Sequence, residues 1–266
     1  MAEIGEGDLV KYSCADRIAM IGLDRPAKLN AISDEVVRQL TACFQRFDQD
    51  LTADVAILHG HGRAFSSGVD VQQGQLRSRE EMEHSADPMG LGAPCMELFT
   101  RSVNWKPVVC AVHGYALGLA LGLVLQCDIV AAEEGTRFQI TETPRGLGGY
   151  RHWALLKQRG AGAFADEVSL SGRFFTAEEA LAAGVINKVA PKGACIAVAT
   201  EQAAALAKNP PLSVRETVRI RRWHMSLLTR EIAFQTEPVK LHLTEDFAES
   251  ARAFAEKRTP GPFKGR

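Results

Sequence analysis

Residues 106–118, with the sequence KPVVCAVHGYALG, place an apolar β-branched run, a turn and a Leu-rich segment in that order. The run Val108–Val112 predicts a short buried strand, which His113 and Gly114 break before a helix expected over 117–126. The stretch 107–127 contains no Asp, Glu, Lys or Arg and is about long enough to cross a bilayer. Its order of strand, turn and helix favours a buried core instead, so no membrane contact is expected.

The chain on either side of this stretch alternates between strand and helix patterns. Residues 55–59 form a continuous apolar run that predicts another buried strand, and 128–132 predict a third. Ser33 is a good helix N-cap, and apolar residues recur at helical spacing after it, so a helix is expected to run to about Asp48. Strands that alternate with helices indicate an α/β fold.

The first residues predict a β-hairpin, and the last residues predict helices. Short strand patterns at 9–15 and 18–23 flank a turn at Asp16 and Arg17. The pattern becomes almost purely helical after Thr176, and helices are expected at 177–183, 196–208, 212–225 and 228–256. We therefore divide the chain into an α/β core over residues 1–195 and a helical region over 196–266.

The composition is that of an ordinary globular protein and excludes disordered and collagen-like classes. The 266 residues are 46% hydrophobic and 24% charged, with 31 Lys and Arg against 32 Asp and Glu. A net charge of -1 gives no overall basic field, so no nucleic acid partner is expected. The N-terminus has no basic segment followed by an apolar one, and the six cysteines form no C-x-x-C pair. Both observations favour a cytoplasmic protein with reduced thiols.

Several familiar site motifs are absent from the sequence. It contains no G-x-x-x-x-G-K-[ST] phosphate loop, no G-x-G-x-x-G after a strand, no G-x-S-x-G elbow and no H-E-x-x-H helix. These absences count against phosphoryl transfer, nicotinamide chemistry, serine hydrolysis and zinc peptidase chemistry. His59 and His61 lack a third metal ligand, so we expect two surface imidazoles at a turn and no metal site.

Two glycine-marked loops, residues 68–70 and 114–119, each follow an apolar strand. Gly118 stands at the start of a predicted helix, where backbone N–H groups are unpaired and the helix dipole favours negative charge. If the loops face each other, the N–H groups of Val69 and Leu119 can both bind a carbonyl oxygen and stabilise its enolate. The alternative is that the glycines only permit turns and close packing, and periodicity does not decide between the two.

The region 71–94 is polar, rich in charge and poorly periodic. Long segments of this kind are uncommon in compact domains and often serve a function, so a mobile segment near a site is one interpretation. A plain surface loop is the other.

Five motifs in order, together with the chain ending, resemble the enoyl-CoA hydratase/isomerase, or crotonase, family. The motifs are RPAKLNAI at 25–32, GRAFSSGVD at 62–70, KPVVCAVHGYALG at 106–118, CDIVAA at 127–132 and GVINKV at 184–189, and the ending contains FAEKR at 254–258 and FKGR at 263–266. The resemblance implies a spiral of ββα units with the acyl-CoA site in residues 1–195 and a helical trimerisation region in 196–266. It also implies a homotrimer or a dimer of trimers, an acyl-CoA thioester as substrate, and no cofactor apart from the CoA of the substrate itself.

The resemblance also assigns residues to the site. The two family oxyanion donors fall on the N–H groups of Val69 and Leu119, the latter in place of the glycine that is common in the family. Any residue except proline supplies a backbone N–H, so this departure leaves the expected oxyanion hole intact. The residues at CoA-binding positions are Lys28, Ala64, Gly68, Asp70, Gly118 and Lys257. Lys28 and Lys257 are expected to meet the phosphates of CoA, the second across a subunit boundary, and a solvated surface charge is the alternative for each.

Only one of the two carboxylates of the family hydratases is present. The first position falls on Gly122 and the second on Glu142. Hydration of an enoyl thioester needs water held at Cβ and a proton delivered at Cα, and glycine does neither. A single base can remove a proton from one carbon and return it to another, so isomerisation with Glu142 as the base is slightly favoured over hydration.

Other roles for this acid and this site stay open. They include hydration or dehydration of a specialised acyl group, carbon–carbon bond cleavage, and non-catalytic binding of acyl-CoA or RNA. Glu142 itself is alternatively an N-cap or a surface carboxylate in a loop.

Four further polar residues have weaker predicted roles. Asp70 is expected to cap the helix after the first loop, and His113 to support the second loop. His152 and Arg145 lie near the acyl end in the motif order and are candidates for contact with polar groups of the substrate.

Overall fold

Two β-sheets and the helices around them form the fold. The computed structural model describes residues 8–76, 78, 80, 105–236 and 240–266. The described strands are β1 Val10–Ala15, β2 Ile18–Leu23, β3 Val55–Gly60, β4 Val108–Val112, β5 Tyr115–Leu117, β6 Ile129–Glu133, β7 Arg137–Gln139, β8 Phe175–Thr176 and β9 Lys188–Ala190. The described helices are α1 Asp34–Gln49, α2 Val71–Gly74, α3 Leu119–Gln126, α4 Tyr150–Gln158, α5 Gly162–Ser171, α6 Ala177–Ala182, α7 Cys195–Ala207, α8 Pro211–Thr236 and α9 Glu245–Ala255.

The larger sheet has the strand order β1-β2-β3-β4-β6-β9. β1 and β2 pair antiparallel across a turn at Asp16 and Arg17, whose φ angles of 50° and 65° are those of a tight type I′ hairpin. Every later pairing in this sheet is parallel. The predicted hairpin and the predicted α/β class are confirmed.

Short strands that follow strands of the larger sheet along the chain form a second, smaller sheet. β4 leads into β5 and β6 leads into β7, so each pair gives one strand to each sheet, and β5, β7 and β8 pair in that order. Isolated bridges from Ile32 to Val69 and from Ser66 to Ala116 continue this second layer. The segments that follow β2, β3 and β4 are therefore neighbours, which brings the two glycine-marked loops together.

Helices cover the larger sheet on both faces. The helix predicted after Ser33 is confirmed as α1, with the Ser33 hydroxyl accepting from the Val36 N–H, and its apolar stripe is buried in the main core. On the other face, Ala199 and Ala203 of α7 pack against β3 and β4. Burial on both faces explains why β3 and β4 are continuous apolar runs without alternation. The proposed division near residue 195 coincides with the start of α7, although this helix packs on the sheet of the α/β core.

The C-terminal region is helical, but its helices differ from those predicted. One helix, α8, spans Pro211–Thr236 and includes the predicted helix at 212–225. The prediction of a single helix over 228–256 is wrong, because α9 begins separately at Glu245, where the Thr244 hydroxyl accepts from the Phe247 N–H. The helix predicted over 117–126 begins two residues late, at Leu119, because Tyr115–Leu117 pairs with β7 as β5.

Two further expectations concern a membrane crossing and the region 71–94. Among the helices of the described residues, none combines the length and the apolar character that a bilayer crossing requires. Of the region 71–94, α2 accounts for Val71–Gly74, and residues 81–94, predicted as either a mobile segment or a surface loop, lie outside the described residues.

His59 at the end of β3 is buried, so the expectation of two surface imidazoles is wrong for this residue, whereas His61 is exposed. Their rings meet edge to face with centroids 4.8 Å apart. Burial, with a smaller effect of the charge on His61, lowers the pKa of His59 from its usual 6.5 to about 4. His59 is therefore held neutral in the folded protein.

This burial makes His59 a source of acid sensitivity. Between about pH 6.5 and pH 4, His59 is protonated in the unfolded chain but stays neutral in the folded chain. The folded state therefore has its full stability with respect to this group above about pH 6.5, and it loses stability as the pH falls toward 4. Between about pH 6.5 and pH 5, we expect the unfolding free energy of the wild type to fall by about 1.5 kcal/mol more than that of His59→Gln, measured by urea denaturation. The control His61→Gln should lose nearly as much as the wild type, and equal losses in wild type and His59→Gln would contradict the prediction.

Candidate functional site

Asn30 fixes the loop that follows β3. Its buried side-chain amide donates to the carbonyl oxygens of His61, Ala64 and Phe65 at 2.8, 2.9 and 3.1 Å. The Ser66 hydroxyl donates to the Asn30 carbonyl oxygen at 2.7 Å and accepts from the Gly68 N–H. The loop is thus held from inside the protein as far as Gly68. Asn30 lies in a quoted motif, but sequence reasoning gave it no role, and only the fold brings the three carbonyls to it.

The peptide between Gly68 and Val69 has a fixed direction. The Gly68 carbonyl oxygen accepts from the Ile32 N–H at 2.8 Å, and the Asp70 N–H donates to the Ile32 carbonyl oxygen at 2.8 Å. In a trans peptide the C=O and the following N–H point in opposite directions. The Val69 N–H therefore points away from Ile32, and no residue of the described chain accepts a hydrogen bond from it.

The peptide between Gly118 and Leu119 is oriented in the same way. The Gly118 carbonyl oxygen accepts from the Gly122 N–H at 3.1 Å and from Nε2 of His152 at 2.9 Å. The Leu119 N–H consequently points the other way, out of the N-terminus of α3, and within the described ranges it has no acceptor. Val69 and Leu119 are both partly exposed residues.

The two loops are in direct contact. A Cβ at Gly68, whose φ is 89°, would lie 2.5 Å from the Leu117 carbonyl oxygen and 3.8 Å from the Leu119 nitrogen. Only glycine fits this approach at this backbone angle. Gly68 therefore does permit close packing, and the same packing brings an unpaired amide into each of two touching loops.

Arginine side chains hold the opposite end of α3. Arg159 donates to the carbonyl oxygens of Leu125 and Cys127, and Arg221 of α8 donates to those of Gln126 and Cys127. These bonds satisfy carbonyls that a helix leaves unpaired at its C-terminus, where positive charge also favours the helix dipole. The helix that presents the Leu119 amide is thus fixed at both ends.

Glu142 lies against Gly118. A Cβ at Gly118, whose φ is 49°, would be 3.1 Å from Oε1 of Glu142 and 2.3 Å from the hydroxyl of Thr141. The carboxyl side chain is 20% exposed, and its Oε2 is buried without a hydrogen-bond partner in the described part of the chain. Glu142 stands at the N-cap of the 3-10 turn Thr143–Arg145, but its side chain caps nothing. Glu142 thus occupies an N-cap position without capping through its side chain, and its carboxyl group is mostly buried.

His152 connects Glu142 to the second loop. The imidazole is buried on α4 at 2% exposure, with Nε2 on the Gly118 carbonyl oxygen and Nδ1 3.8 Å from Oε2 of Glu142. The predicted contact with polar groups of a substrate is replaced by contacts within the protein. Its pairing with Gly118 was not predicted from the sequence.

Arg145 lies on the same turn as Glu142. Its guanidinium donates to Oε1 of Gln75 at 2.7 Å and stacks 3.9 Å over the ring of Phe254 in the C-terminal region. Burial lowers the pKa of Arg145, and the neighbouring charge of Glu142 partly offsets this change. Arg145 thus places a partly buried positive charge near the acid.

Of the other predicted site residues, Asp70 and His113 have the expected structural roles. Asp70 caps α2 through the Gln72 N–H and binds the Arg25 guanidinium at 2.7 Å, and Nε2 of His113 lies 3.0 Å from the Gly62 carbonyl oxygen. The predicted CoA-binding residues differ in exposure: Lys28 and Lys257 are exposed, whereas Ala64 is buried. The described residues contain no group of three or more His, Cys, Asp or Glu side chains arranged for a metal.

The geometry suits one kind of chemistry. Two fixed, unpaired N–H groups can donate to an oxygen that becomes negative, and a nearby carboxylate can accept or return a proton. Charge stabilisation and proton transfer on one small molecule therefore fit this site.

The comparisons with known proteins agree with this fold and identify the family. Residues 14–266 match the family described as enoyl-CoA hydratase/isomerase. Mevalonyl-coenzyme A hydratase of Aspergillus fumigatus is 32% identical over 96% of this chain and 94% of its own, and carnitinyl-CoA dehydratase of Proteus mirabilis is 34% identical over 92% and 94%. The crystal structure of an enoyl-CoA hydratase/isomerase from Pseudoalteromonas atlantica superimposes with a TM-score of 0.79, at 26% identity, over 96% of this chain and 100% of that one. The chain therefore belongs to the enoyl-CoA hydratase/isomerase family and has the crotonase fold.

Proposed function

We propose that the protein catalyses the reversible addition of water to an enoyl-CoA thioester. The observation that carries the proposal is the pair of unpaired amides, Val69 and Leu119, in touching loops beside the partly buried acid Glu142. The names of the two relatives, a hydratase and a dehydratase, support gain or loss of water over the isomerisation that the residue pattern alone favoured.

The thioester oxygen accepts hydrogen bonds from the Val69 and Leu119 N–H groups in this mechanism. These bonds draw electron density toward the oxygen, make Cβ electrophilic and stabilise the enolate that forms on addition. Both peptides are already held by bonds to Ile32, Gly122 and His152, so little reorganisation is needed. A preorganised donor of this kind contributes about 10²–10³ in turnover.

Glu142 moves the proton. Its carboxylate takes a proton from water as the water oxygen bonds to Cβ, and the π electrons of the double bond pass to the enolate. The resulting carboxylic acid then protonates Cα, which restores the carboxylate and leaves a hydroxyacyl-CoA; dehydration is the reverse. Because Gly122 carries no carboxylate, Glu142 performs both transfers.

Isomerisation is the second candidate, and the same glycine favours it. With Gly122 in place of an acid, Glu142 can take a proton from one carbon of the substrate and return it to another while the amides hold the dienolate. No water is consumed on that route.

The remainder of the ligand is the CoA moiety. We assign its contacts to Lys28, Ala64, Gly68, Asp70, Gly118 and Lys257, as the family resemblance implies. The exposure of Lys28 and Lys257 leaves both ammonium groups available to phosphate, which supports this assignment. No further cofactor is required by the mechanism.

The proposed assembly is a homotrimer or a dimer of trimers. Large apolar side chains of α8 are exposed in the single chain, among them Trp223 at 62% and Phe234 at 79%. Exposed apolar surface of this kind is usual where another subunit binds. Copies of the same chain are the occupants that the family resemblance implies.

Product analysis separates the candidate reactions. Incubation with a panel of 2-enoyl-, 3-enoyl- and hydroxyacyl-CoA esters, followed by mass spectrometry, should give a gain or loss of one water. A shifted double bond at unchanged mass would favour isomerisation, and two smaller products would favour carbon–carbon cleavage. Binding without conversion would favour a non-catalytic acyl-CoA or RNA-binding homologue.

Replacement of the acid by its amide tests the role of Glu142. Glu142→Gln keeps the shape of the side chain but cannot carry the proton, so turnover should fall by about a hundredfold or more while CoA-ester affinity stays nearly the same. Glu134→Gln, at an exposed carboxylate, is the matched control and should behave like the wild type. Unchanged turnover of Glu142→Gln would remove this residue from the mechanism.

A charge on the apolar face of α8 tests the assembly. The wild type should elute with a light-scattering mass of about three or six times 28.9 kDa, and Trp223→Glu should reduce it because a carboxylate resists burial. Leu170→Glu on α5 is the control for an exposed apolar residue elsewhere. A monomeric wild type would contradict the proposed assembly.

A further inference from the structure

We infer that His152 is a positioning residue for the proposed reaction, in which one imidazole orients the Leu119 N–H and confines the Glu142 carboxyl. The inference rests on the proposed function and adds a residue to it. His152 is too deeply buried to reach a substrate, since only 2% of its surface is exposed. Its influence therefore passes through the two groups that it touches.

The first contact orients a peptide. A carbonyl oxygen only accepts hydrogen bonds, so Nε2 of His152, 2.9 Å from the Gly118 oxygen, must carry the proton. Because the peptide is planar and trans, holding the oxygen of Gly118 on the inside holds the N–H of Leu119 on the outside. The imidazole thereby sets the direction of a proposed oxyanion donor.

This restraint matters because Gly118 has an unusual backbone. Its φ of 49° and ψ of -120° lie in a region that residues with a Cβ rarely adopt, and glycine places few limits of its own on the peptide. The Gly122 N–H supplies one bond to the same oxygen, at 3.1 Å. His152 adds the shorter bond, from a side chain that burial keeps in place.

The second contact confines the acid. Nδ1, the other nitrogen of the same ring, lies 3.8 Å from Oε2 of Glu142. This distance exceeds that of a hydrogen bond, so the ring limits the movement of the carboxyl without occupying its buried oxygen. The ring therefore restrains Glu142 without forming a hydrogen bond to its carboxyl group.

The alternative is a buried histidine that contributes only to stability. Substitutions by glutamine and by asparagine distinguish the two roles, because their amide groups lie at different distances from Cα. The amide nitrogen of glutamine is as many bonds from Cα as Nε2 of histidine and can donate to the Gly118 oxygen, whereas the amide nitrogen of asparagine corresponds to Nδ1 and cannot. Phenylalanine keeps the ring but donates to neither group.

The test compares His152→Phe, His152→Gln and His152→Asn, with Trp153→Phe, the exposed neighbour on α4, as control. For hydration of an enoyl-CoA that the wild type accepts, we expect His152→Phe to lower kcat by about a hundredfold with little change in KM, as for loss of an oxyanion donor. The kcat of His152→Gln should be at least about tenfold higher than that of His152→Asn. Trp153→Phe should leave both constants unchanged.

A spectroscopic measurement follows the peptide directly. A saturated acyl-CoA with a ¹³C-labelled thioester carbonyl should show its carbonyl stretch at lower frequency when bound to the wild type than when free, because two N–H groups polarise it. His152→Phe should lose a large part of this shift, whereas Glu142→Gln should keep it. A protein that only lost stability would keep the shift in its folded fraction.

The outcomes are distinct. An active wild type with kcat of folded His152→Phe within about threefold of it, or with an undiminished carbonyl shift, would overturn this inference and leave the proposed function standing. If His152→Phe does not fold, equal kcat values of His152→Gln and His152→Asn would overturn it in the same way. A wild type that converts no enoyl- or hydroxyacyl-CoA would overturn both this inference and the proposed function.

Discussion

The internal hydrogen bonds of two glycine carbonyls decide how the backbone can meet a ligand. Gly68 accepts from Ile32, and Gly118 accepts from Gly122 and His152, so the planar peptides direct the next N–H groups outward. The two-sheet architecture makes this arrangement possible, because strands that are neighbours in the larger sheet continue into segments that are neighbours in the smaller one. A change that turns either peptide would redirect the Val69 or Leu119 N–H, and it would alter the site even if Glu142 stayed in place.

Much of the fold can be predicted from the sequence, because apolar runs, helix caps and turns are patterns of residues close together in the chain. The continuous apolar strands β3 and β4, the Ser33 cap and the hairpin turn at Asp16 and Arg17 are all predicted and observed. Three-residue strands such as β5 and β7 are too short to produce a periodic pattern, and they form because neighbouring segments pair with them. The wrong prediction over 228–256 shows the limit of periodicity, since the Thr244 cap followed by Glu245 and Asp246 was the available signal for a new helix.

Some residues of the site can likewise be predicted from local sequence, and others cannot. The glycines and the amides of Val69 and Leu119 are suggested by local sequence, because a glycine-marked turn after a strand and before a helix has a known backbone consequence. The family resemblance, not the local pattern, picked out Glu142. The contact between His152 and Gly118 joins residues 34 positions apart, and Asn30 reaches carbonyls that are just as distant in sequence. Such side chains take their roles from tertiary packing, which no spacing rule encodes.

A crystal structure of the Glu142→Gln variant with an enoyl-CoA bound tests the central claim most directly, because the variant should retain the ligand without converting it. The account predicts that the thioester oxygen lies within about 3.1 Å of the backbone nitrogens of both Val69 and Leu119. It also predicts that the side chain at position 142 lies beside the α- and β-carbons. A thioester oxygen bound elsewhere, or bonded to only one of these amides, would contradict the account.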